Sequence, residues 1–218
     1  MNKKRVTWFS PDKLEKDTIL KGVEEASVYA KGRLLDVGCG DKPYLEIFKN
    51  RISSYIGLDL KGGDIQRSAL DLPFPKNSFD TILCTQVMEH VSDPELMIKE
   101  FHRVLKKGGF VILTMPLFWC LHEEPNDYFR FTKYSLEMIL KKAKFEITYI
   151  KDRGNWSITI GQMISLYLES SFNRYGLKYP KRLAQMAVQY FFFRLSKIPG
   201  FIKSQQAPLG YTVVVRKT

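Results

Sequence analysis

The sequence predicts an α/β fold: a doubly wound, mostly parallel sheet of seven strands with a helical insertion before the last strand. Three observations favour it. Short apolar segments alternate with helical or looped segments, which is typical of parallel strands joined by right-handed crossovers. A glycine turn follows the first strand, and two long helical patterns precede a last β-branched segment. The 218 residues, 44% of them hydrophobic, suffice for one domain with a sizeable core.

The elements are predicted in the following order. Ser10 and Pro11 have the residue types of an N-cap and a first helical turn, so a helix is expected from there towards Ala30. Apolar and β-branched runs then predict strands at 33–37, 55–60, 79–84, 110–115, 145–150 and 210–216. Helical patterns between them cover 43–50, 94–106 and 132–142, and Lys106 to Gly109 is expected to end the second of these helices.

The chain is expected to form a single domain over residues 1–218. Its parts would be an N-terminal helical segment (1–31), a core (32–152), a helical insertion (153–207) and a final strand (208–218). Inside the insertion, helices are predicted at 156–172 and 180–198, where a compact sheet would need only a turn.

The formal charge of +11 is concentrated in the second part of the sequence. Residues 130–218 hold 16 basic and four acidic side chains, whereas residues 1–129 are nearly balanced. The three cysteines are widely spaced within or beside apolar runs, which is typical of reduced thiols in a cytosolic protein and predicts no metal site. No secretory leader or membrane-spanning run is recognised, so a cytoplasmic location is expected, with peripheral membrane attachment as an addition.

The glycine turn indicates a nucleotide-type ligand. Gly38 and Gly40 follow a buried strand and allow a ligand to approach the backbone, while Asp59, at the end of the next strand, can accept both hydroxyls of a ribose. Pro43 replaces the third glycine of a dinucleotide site, and Asp36 would repel phosphate but can serve an ammonium group. This combination fits S-adenosyl-L-methionine, which carries no phosphate.

Several motifs in sequence order resemble the class I S-adenosylmethionine-dependent methyltransferases, specifically the type 11 methyltransferase domain family. The resemblance covers residues 32–117, and more loosely extends to 150. The matching segments are 36–40, 56–59, 72–80, 86–91 and 100–110. It implies a Rossmann-like fold, S-adenosyl-L-methionine as cofactor and the following cofactor-binding residues: Asp36, Gly38, Gly40, Asp59, Leu60, Ser68, Ala69, Thr85 and Gln86.

The resemblance also suggests what each part of this set contacts. Asp36 and the two glycines would line the methionine end together with Thr85 and Gln86, and Asp59 would hold the ribose. One position departs from the family pattern: Ser68 stands where the family usually has an acid for the adenine amino group. Adenine recognition would then depend on Ser68 and on the backbone of Ala69.

A long aromatic and polar loop, residues 116–132, follows the predicted strand at 110–115, at the carboxyl edge of the sheet, and would receive the acceptor. His122 is the candidate general base, with Glu123 behind it, since imidazole titrates near neutral pH. Asp127 and Arg130 are expected to form an ion pair, and Thr132 to cap the next helix. The adjacent pair at positions 89 and 90 is interpreted as a structural feature of the family.

The second inserted helix is amphipathic. Lys181, Arg182, Gln185 and Gln189 fall on one face, opposite an apolar face formed by Leu183, Met186, Ala187, Tyr190, Phe191, Phe193 and Ile198. Such a helix packs on the sheet domain or across a homodimer, or the basic region 156–203 attaches to a membrane surface or another anionic partner.

The predicted function is methyl transfer to a small-molecule or lipid- or glycan-linked acceptor. An RNA methyltransferase is the alternative that the basic half suggests, although nucleic acid is the less favoured partner because no RNA-binding module is recognised. A non-catalytic binding or scaffold protein with this fold is the third hypothesis.

Overall fold

The structure, a computed structural model, describes residues 10–176, 178–198 and 207–218. The chain divides into two compact units. One consists of residues 1–21 and 152–210, and the other of residues 22–151 and 211–218. No helix of the described residues is long and apolar enough to cross a membrane.

A seven-stranded sheet forms the centre of the larger unit, in the order β3-β2-β1-β4-β5-β7-β6. The pairs of β1 with β2 and β4, of β2 with β3, and of β4 with β5 are parallel, and the sheet is mixed because it includes an antiparallel pair. The strands are β1 (Arg33–Val37), β2 (Ser54–Asp59), β3 (Ile65–Gln66), β4 (Phe79–Thr85), β5 (Leu105–Pro116), β6 (Phe145–Arg153) and β7 (Gly210–Lys217). The predicted doubly wound, mostly parallel sheet is confirmed.

The helices begin and end close to the predicted positions. They are α1 (Lys13–Ala26), α2 (Leu45–Phe48), α3 (Pro94–Val104), α4 (Lys133–Lys142), α5 (Trp156–Arg174) and α6 (Lys178–Leu195). Asp93 caps α3 by accepting a hydrogen bond from the Leu96 N–H, and Thr132 caps α4 in the same way from Ser135, as predicted. The first helix, predicted to run towards Ala30, ends at Ala26 and is followed by a 3₁₀ turn over Ser27–Tyr29.

The segment from Lys106 to Gly109 does not end a helix, which corrects the prediction. α3 stops at Val104 and the chain enters β5 at once. Gly108 has φ +74°, and the β4–β5 register shifts between Phe79 and Thr81, so these residues form the irregular start of a strand. Lys106 lies there in contact with Asp80, its Nζ 2.9 Å from the carboxylate.

The smaller unit contains α5, α6 and the beginning of α1. Its interior holds an ion pair between Arg153 and Glu15, at 3.0 Å and with both side chains almost fully buried. α5 and α6 pack closely, because Gly161 of α5 leaves room for Phe192 of α6.

The polar face of α6 is the buried one. Gln185 and Gln189 are fully buried. Gln185 donates hydrogen bonds to the Ser165 carbonyl and to Glu169, and Gln189 donates to the Ser165 hydroxyl. Four large apolar residues of the opposite face are exposed instead: Leu183 60%, Tyr190 51%, Phe191 58% and Ile198 52%. Phe193 of the same face is half-buried and packs against the cluster of Leu14, Ile158 and Leu209. A helix that only packed on its neighbours through its apolar face would show the reverse pattern.

Candidate active site

The parallel register brings the candidate residues to one edge of the sheet. β1 lies between β2 and β4, with Val37 opposite both Leu58 and Cys84. The glycine turn after β1, Asp59 at the end of β2 and Thr85 at the end of β4 therefore share the carboxyl edge, where open α/β sheets bind ligands.

The two glycines of the turn have different reasons to be glycine. Gly38 has φ +73°, and a Cβ there would lie 2.1 Å from Cγ2 of Val87, so neither the backbone nor the packing admits a side chain. Gly40 has φ +46° and no heavy atom within 4 Å of the site of a Cβ, so it borders open space. The N–H groups of Gly38 and Cys39 donate to the carbonyl of Leu58, which fixes the turn against β2.

Asp36 is a buried carboxyl group, only 1% exposed, immediately before this turn. Burial raises its pKa to about 7, although a hydrogen bond donated by the Tyr55 hydroxyl to Oδ2 opposes the shift. Its Oδ1 has no hydrogen-bond partner among the described residues. A buried carboxyl group with one unpartnered oxygen is suited to accept a hydrogen bond from a cationic ligand.

Asp59 is oriented by the backbone around it. Its Oδ2 accepts from the Gly40 N–H at 3.0 Å, and its Oδ1 accepts from the Lys61 N–H at 3.1 Å. Leu60, next to it, is 71% exposed and presents an apolar surface beside the carboxylate. The pair offers a hydroxyl acceptor and an adjoining apolar contact.

The segment predicted to contact adenine is held in place by hydrogen bonds within the protein. Ser68 uses its hydroxyl to accept from the Leu70 N–H at 3.1 Å, and Ala69 is buried. The following Leu72 is held by α3: its N–H donates to Glu100, and its carbonyl accepts from Arg103. The Glu100 and Arg103 contacts had no counterpart among the predicted site residues.

Thr85 and Gln86 end β4 beside the turn. Thr85 is half-buried, and Gln86 has φ +55°. The Gln86 side chain donates to the Thr114 hydroxyl at 3.0 Å, and its N–H donates to the Thr114 carbonyl at 2.8 Å. Both contacts anchor Gln86 to β5, so its strained backbone conformation is set by the neighbouring strand.

The cysteines nearest the site have thiols rather than thiolates at neutral pH. Burial raises the pKa of Cys39 to about 11, and it raises that of Cys84 well above its ordinary value. Cys39 packs under the turn, where its sulfur would lie 2.7 Å from a Cβ at Gly57. Neither cysteine is placed as a nucleophile.

The loop between β5 and α4 encloses an open pocket of about 390 Å³. Its lining is formed by Trp119, Cys120, Leu121, Asp127, Tyr128, Phe129 and Arg130. The predicted ion pair is confirmed: Arg130 contacts Asp127 with both terminal nitrogens, at 2.6 and 2.8 Å. This contact holds the pKa of Asp127 well below its ordinary value.

His122 does not stand alone in this loop. Its Nε2 lies 3.0 Å from Nε2 of His90, and the two rings meet edge to face. The backbone N–H of His122 donates to Oδ2 of Asp127, and the ring Nδ1 lies 3.1 Å from the Cys120 carbonyl oxygen. The sequence does not predict that His90 contacts His122, because His90 belongs to a 3₁₀ turn (Met88–His90) and precedes His122 by 32 residues.

Residues 35–113 match the model of a methyltransferase domain. The chain is 29% identical over 154 residues to demethylmenaquinone methyltransferase of Staphylococcus epidermidis, covering 67% of this chain and 60% of that protein. It is 26% identical over 140 residues to the ubiquinone biosynthesis O-methyltransferase of Pseudomonas aeruginosa, covering 55% and 56%. The chain therefore spans a little more than half the length of these curated relatives.

Among solved structures, the [4+2]-cyclase SpnF has the same fold, with a TM-score of 0.58, 22% identity and coverage of 92% of this chain and 80% of that one. The matched residues contain the glycine turn, Asp59 and the Gln86–His90 segment, which are the parts of the site described above. From the matched domain, the sheet and the relatives together, the chain belongs to the class I S-adenosylmethionine-dependent methyltransferases.

Proposed function

We propose that this chain binds S-adenosyl-L-methionine at the glycine turn and transfers its methyl group to a small, quinone-type or lipid-linked acceptor. The observation that carries the proposal is the combination of open space over Gly40 with carboxyl groups at Asp36 and Asp59. The names of the relatives, which refer to demethylmenaquinone and to ubiquinone biosynthesis, support the acceptor class. The cyclase shares only the fold, and fold alone does not determine chemistry, so the activity needs a direct test.

The residues present fit this cofactor. The unpartnered Oδ1 of Asp36 can accept from the ammonium group, which would also favour the ionised carboxylate. Asp59 is positioned to accept from the ribose hydroxyls, and Leu60 to cover one side of the adenine. When bound, the cofactor supplies a methyl group activated by its sulfonium.

The contribution of the chain to the transfer is alignment. The aromatic side chains and the Asp127–Arg130 pair form one wall of the pocket, which can hold a flat, partly polar ring. Holding the acceptor atom about 3 Å from the methyl carbon and in line with the leaving sulfur supplies much of the acceleration. The assignment of His122 as a base stays a prediction, since its Nε2 faces His90.

Calorimetric titration with S-adenosyl-L-methionine tests the cofactor site. We expect Asp59→Ala to weaken binding about 10- to 100-fold, the equivalent of one or two hydrogen bonds to a charged group. Asp41→Ala is the matched control, because Asp41 is an exposed carboxylate of the same turn. Equal loss in both variants, or no binding by the wild type, would contradict the proposed site.

Acceptor identity is tested separately with radiolabelled cofactor. Demethylmenaquinone and catechol-type ubiquinone precursors should take up label from the wild type and not from Asp59→Ala. Binding of the cofactor without transfer to any of these acceptors would exclude the quinone-type substrates. Uptake of label by transfer RNA would favour the RNA alternative.

We also propose that the smaller unit attaches to an anionic lipid surface. Exposed Arg182, Arg194 and Lys197 lie on α6 and at its end, beside the exposed apolar Tyr190 and Phe191. Each basic side chain near such a surface contributes about 1 kcal/mol, and inserted aromatics add apolar burial. Residues 199–203 of the predicted basic region lie outside the described residues.

Vesicle co-sedimentation tests this attachment. The protein should bind phosphatidylcholine vesicles that contain phosphatidylglycerol, and substitution of Tyr190 and Phe191 by serine should remove binding. Tyr134→Ser is the control, because Tyr134 is also an exposed aromatic residue, at 70%, but lies on α4. A different outcome would contradict the attachment: neither the wild type nor the serine variant binds vesicles, and sedimentation velocity shows a dimeric wild type and a monomeric variant. The exposed face of α6 would then join two copies of the chain.

A further inference from the structure

We propose that Glu89, His90 and His122 form a binding site for a divalent transition-metal ion. One ligand atom from each residue lies within 4.8 Å of the other two. Glu89 and His90 belong to the 3₁₀ turn after β4, and His122 to the pocket loop. Two of the three histidines of the chain thus meet at one place.

Hydrogen bonds from Nδ1 to backbone carbonyl oxygens orient both imidazole rings. Nδ1 of His90 lies 2.8 Å from the carbonyl oxygen of Asn126, and Nδ1 of His122 lies 3.1 Å from that of Cys120. A carbonyl oxygen only accepts, so each Nδ1 carries the hydrogen. Hydrogen bonds of this kind from the second ring nitrogen are the usual support of histidines that bind metals.

It follows that both Nε2 atoms present lone pairs to each other across 3.0 Å. Two such lone pairs repel unless a cation lies between or beside them. Metal–nitrogen bonds of about 2.0–2.1 Å separate two ligand nitrogens of a tetrahedral ion by about 3.3 Å. The observed pair is therefore a few tenths of an ångström from the spacing that an ion requires.

The third ligand is a carboxyl group, whose ionised form would balance part of the charge of a divalent ion. Oε1 of Glu89 lies 4.0 Å from Nε2 of His90, and the Glu89 side chain is fully buried. The Glu89 carbonyl accepts from the N–H groups of Tyr128 and Phe129, which ties the loop to the 3₁₀ turn. These bonds hold the three ligands together although they come from distant parts of the chain.

Two imidazoles and one carboxylate suit zinc, iron, cobalt or nickel better than magnesium or calcium, which prefer oxygen ligands. Three protein ligands also leave a coordination position for water or for an acceptor oxygen. Cys120 and Asp127, which both contact His122, line the pocket. The metal would therefore lie directly behind the wall of the proposed acceptor pocket, and to that extent its role rests on the proposed function.

The test uses the full chain without a histidine tag, stripped with chelator and titrated with Zn²⁺ and with Co²⁺. We expect binding of one ion per chain by calorimetry, and visible d–d absorption of bound Co²⁺. His122→Ala and the isosteric Glu89→Gln should each weaken binding at least about tenfold. His102→Ala is the matched control, because His102 lies on α3 against Phe145, away from the cluster.

The readout requires neither the cofactor nor an acceptor, so its failure is distinct from failure of the methyltransferase proposal. Circular dichroism establishes that each variant is folded before titration. If the wild type binds no ion, or if His122→Ala binds as tightly as His102→Ala, the site is refuted. A Cys120→Ser variant that abolishes binding while His122→Ala retains it would also refute the assignment, since the ligand would then be the thiol.

Discussion

Replacing Asp36 by asparagine should stabilise the protein without cofactor at high pH while weakening cofactor binding. The pKa of Asp36 is raised from 3.8 to about 7 because the group is buried. An acid whose pKa is raised on folding binds its proton more tightly in the folded state. The free energy of unfolding is therefore highest below about pH 4, where the group is protonated in both states, and it falls as the pH rises towards 7. Asparagine keeps the shape and cannot ionise.

The magnitude follows from the same shift. A difference of about three pKa units opposes the ionised form by roughly 4 kcal/mol at pH 8. Between pH 5 and pH 8 the ionisation of Asp36 removes roughly 2–3 kcal/mol from the free energy of unfolding. The Tyr55 hydroxyl, whose own pKa is raised by burial, stays protonated and keeps its hydrogen bond to either residue.

Urea unfolding at pH 5 and pH 8 measures the effect without cofactor. The wild type should lose roughly 2–3 kcal/mol more than Asp36→Asn over this range. Asp41→Asn, at the exposed neighbouring carboxylate, should behave as the wild type. An equal pH dependence in wild type and Asp36→Asn would refute the reasoning, because it would mean that water reaches the carboxylate and removes the effect of burial.

Two further predictions concern packing. Arg153→Ala should lower the free energy of unfolding by about 3–5 kcal/mol, because it removes the ion-pair partner that lies 3.0 Å from the buried Glu15 carboxylate. Replacing both residues by apolar ones should recover much of this loss. If the double variant loses as much stability as Arg153→Ala, the ion-pair explanation is contradicted. Gly38→Ala should cost at least about 1–3 kcal/mol from its positive φ, with a further loss from the contact with Val87. In the Gly38→Ala background, Val87→Ala should recover only that further loss. Gly40→Ala should show the φ effect alone while obstructing the cofactor. Urea denaturation of Gly38→Ala, of the Gly38→Ala, Val87→Ala double variant and of Gly40→Ala separates the two contributions.

The central strands could be predicted because most of their residues are buried, as in β1 and β4. The predicted bounds of β1 agree with the structure to the residue, since Leu34, Leu35 and Val37 are apolar and a glycine turn follows. β3 was not located, because its two residues, Ile65 and Gln66, carry no periodic signal. Its position depends on pairing with Leu58 and Asp59 of β2, which is information from tertiary structure.

The orientation of α6 and the histidine pair show the limit of sequence patterns. Periodicity identifies two faces of a helix but not which is buried, and the hydrogen bonds of Gln185 and Gln189 to α5 decide it here. His90 and His122 lie far apart in sequence, and each alone resembles a surface residue. The signal that could have paired them was the rarity of histidine in a chain that has only three.

The strand order also affects how the protein is made. β7 lies between β5 and β6, although β6 ends at Arg153 and β7 begins at Gly210. At about 5–20 residues per second, a ribosome needs several seconds to make the intervening segment. Until β7 is made, β6 lacks the strand with which it pairs, and one edge of β5 is unpaired. The nascent chain therefore exposes an apolar strand edge, to which chaperones can bind, before β7 pairs with both strands.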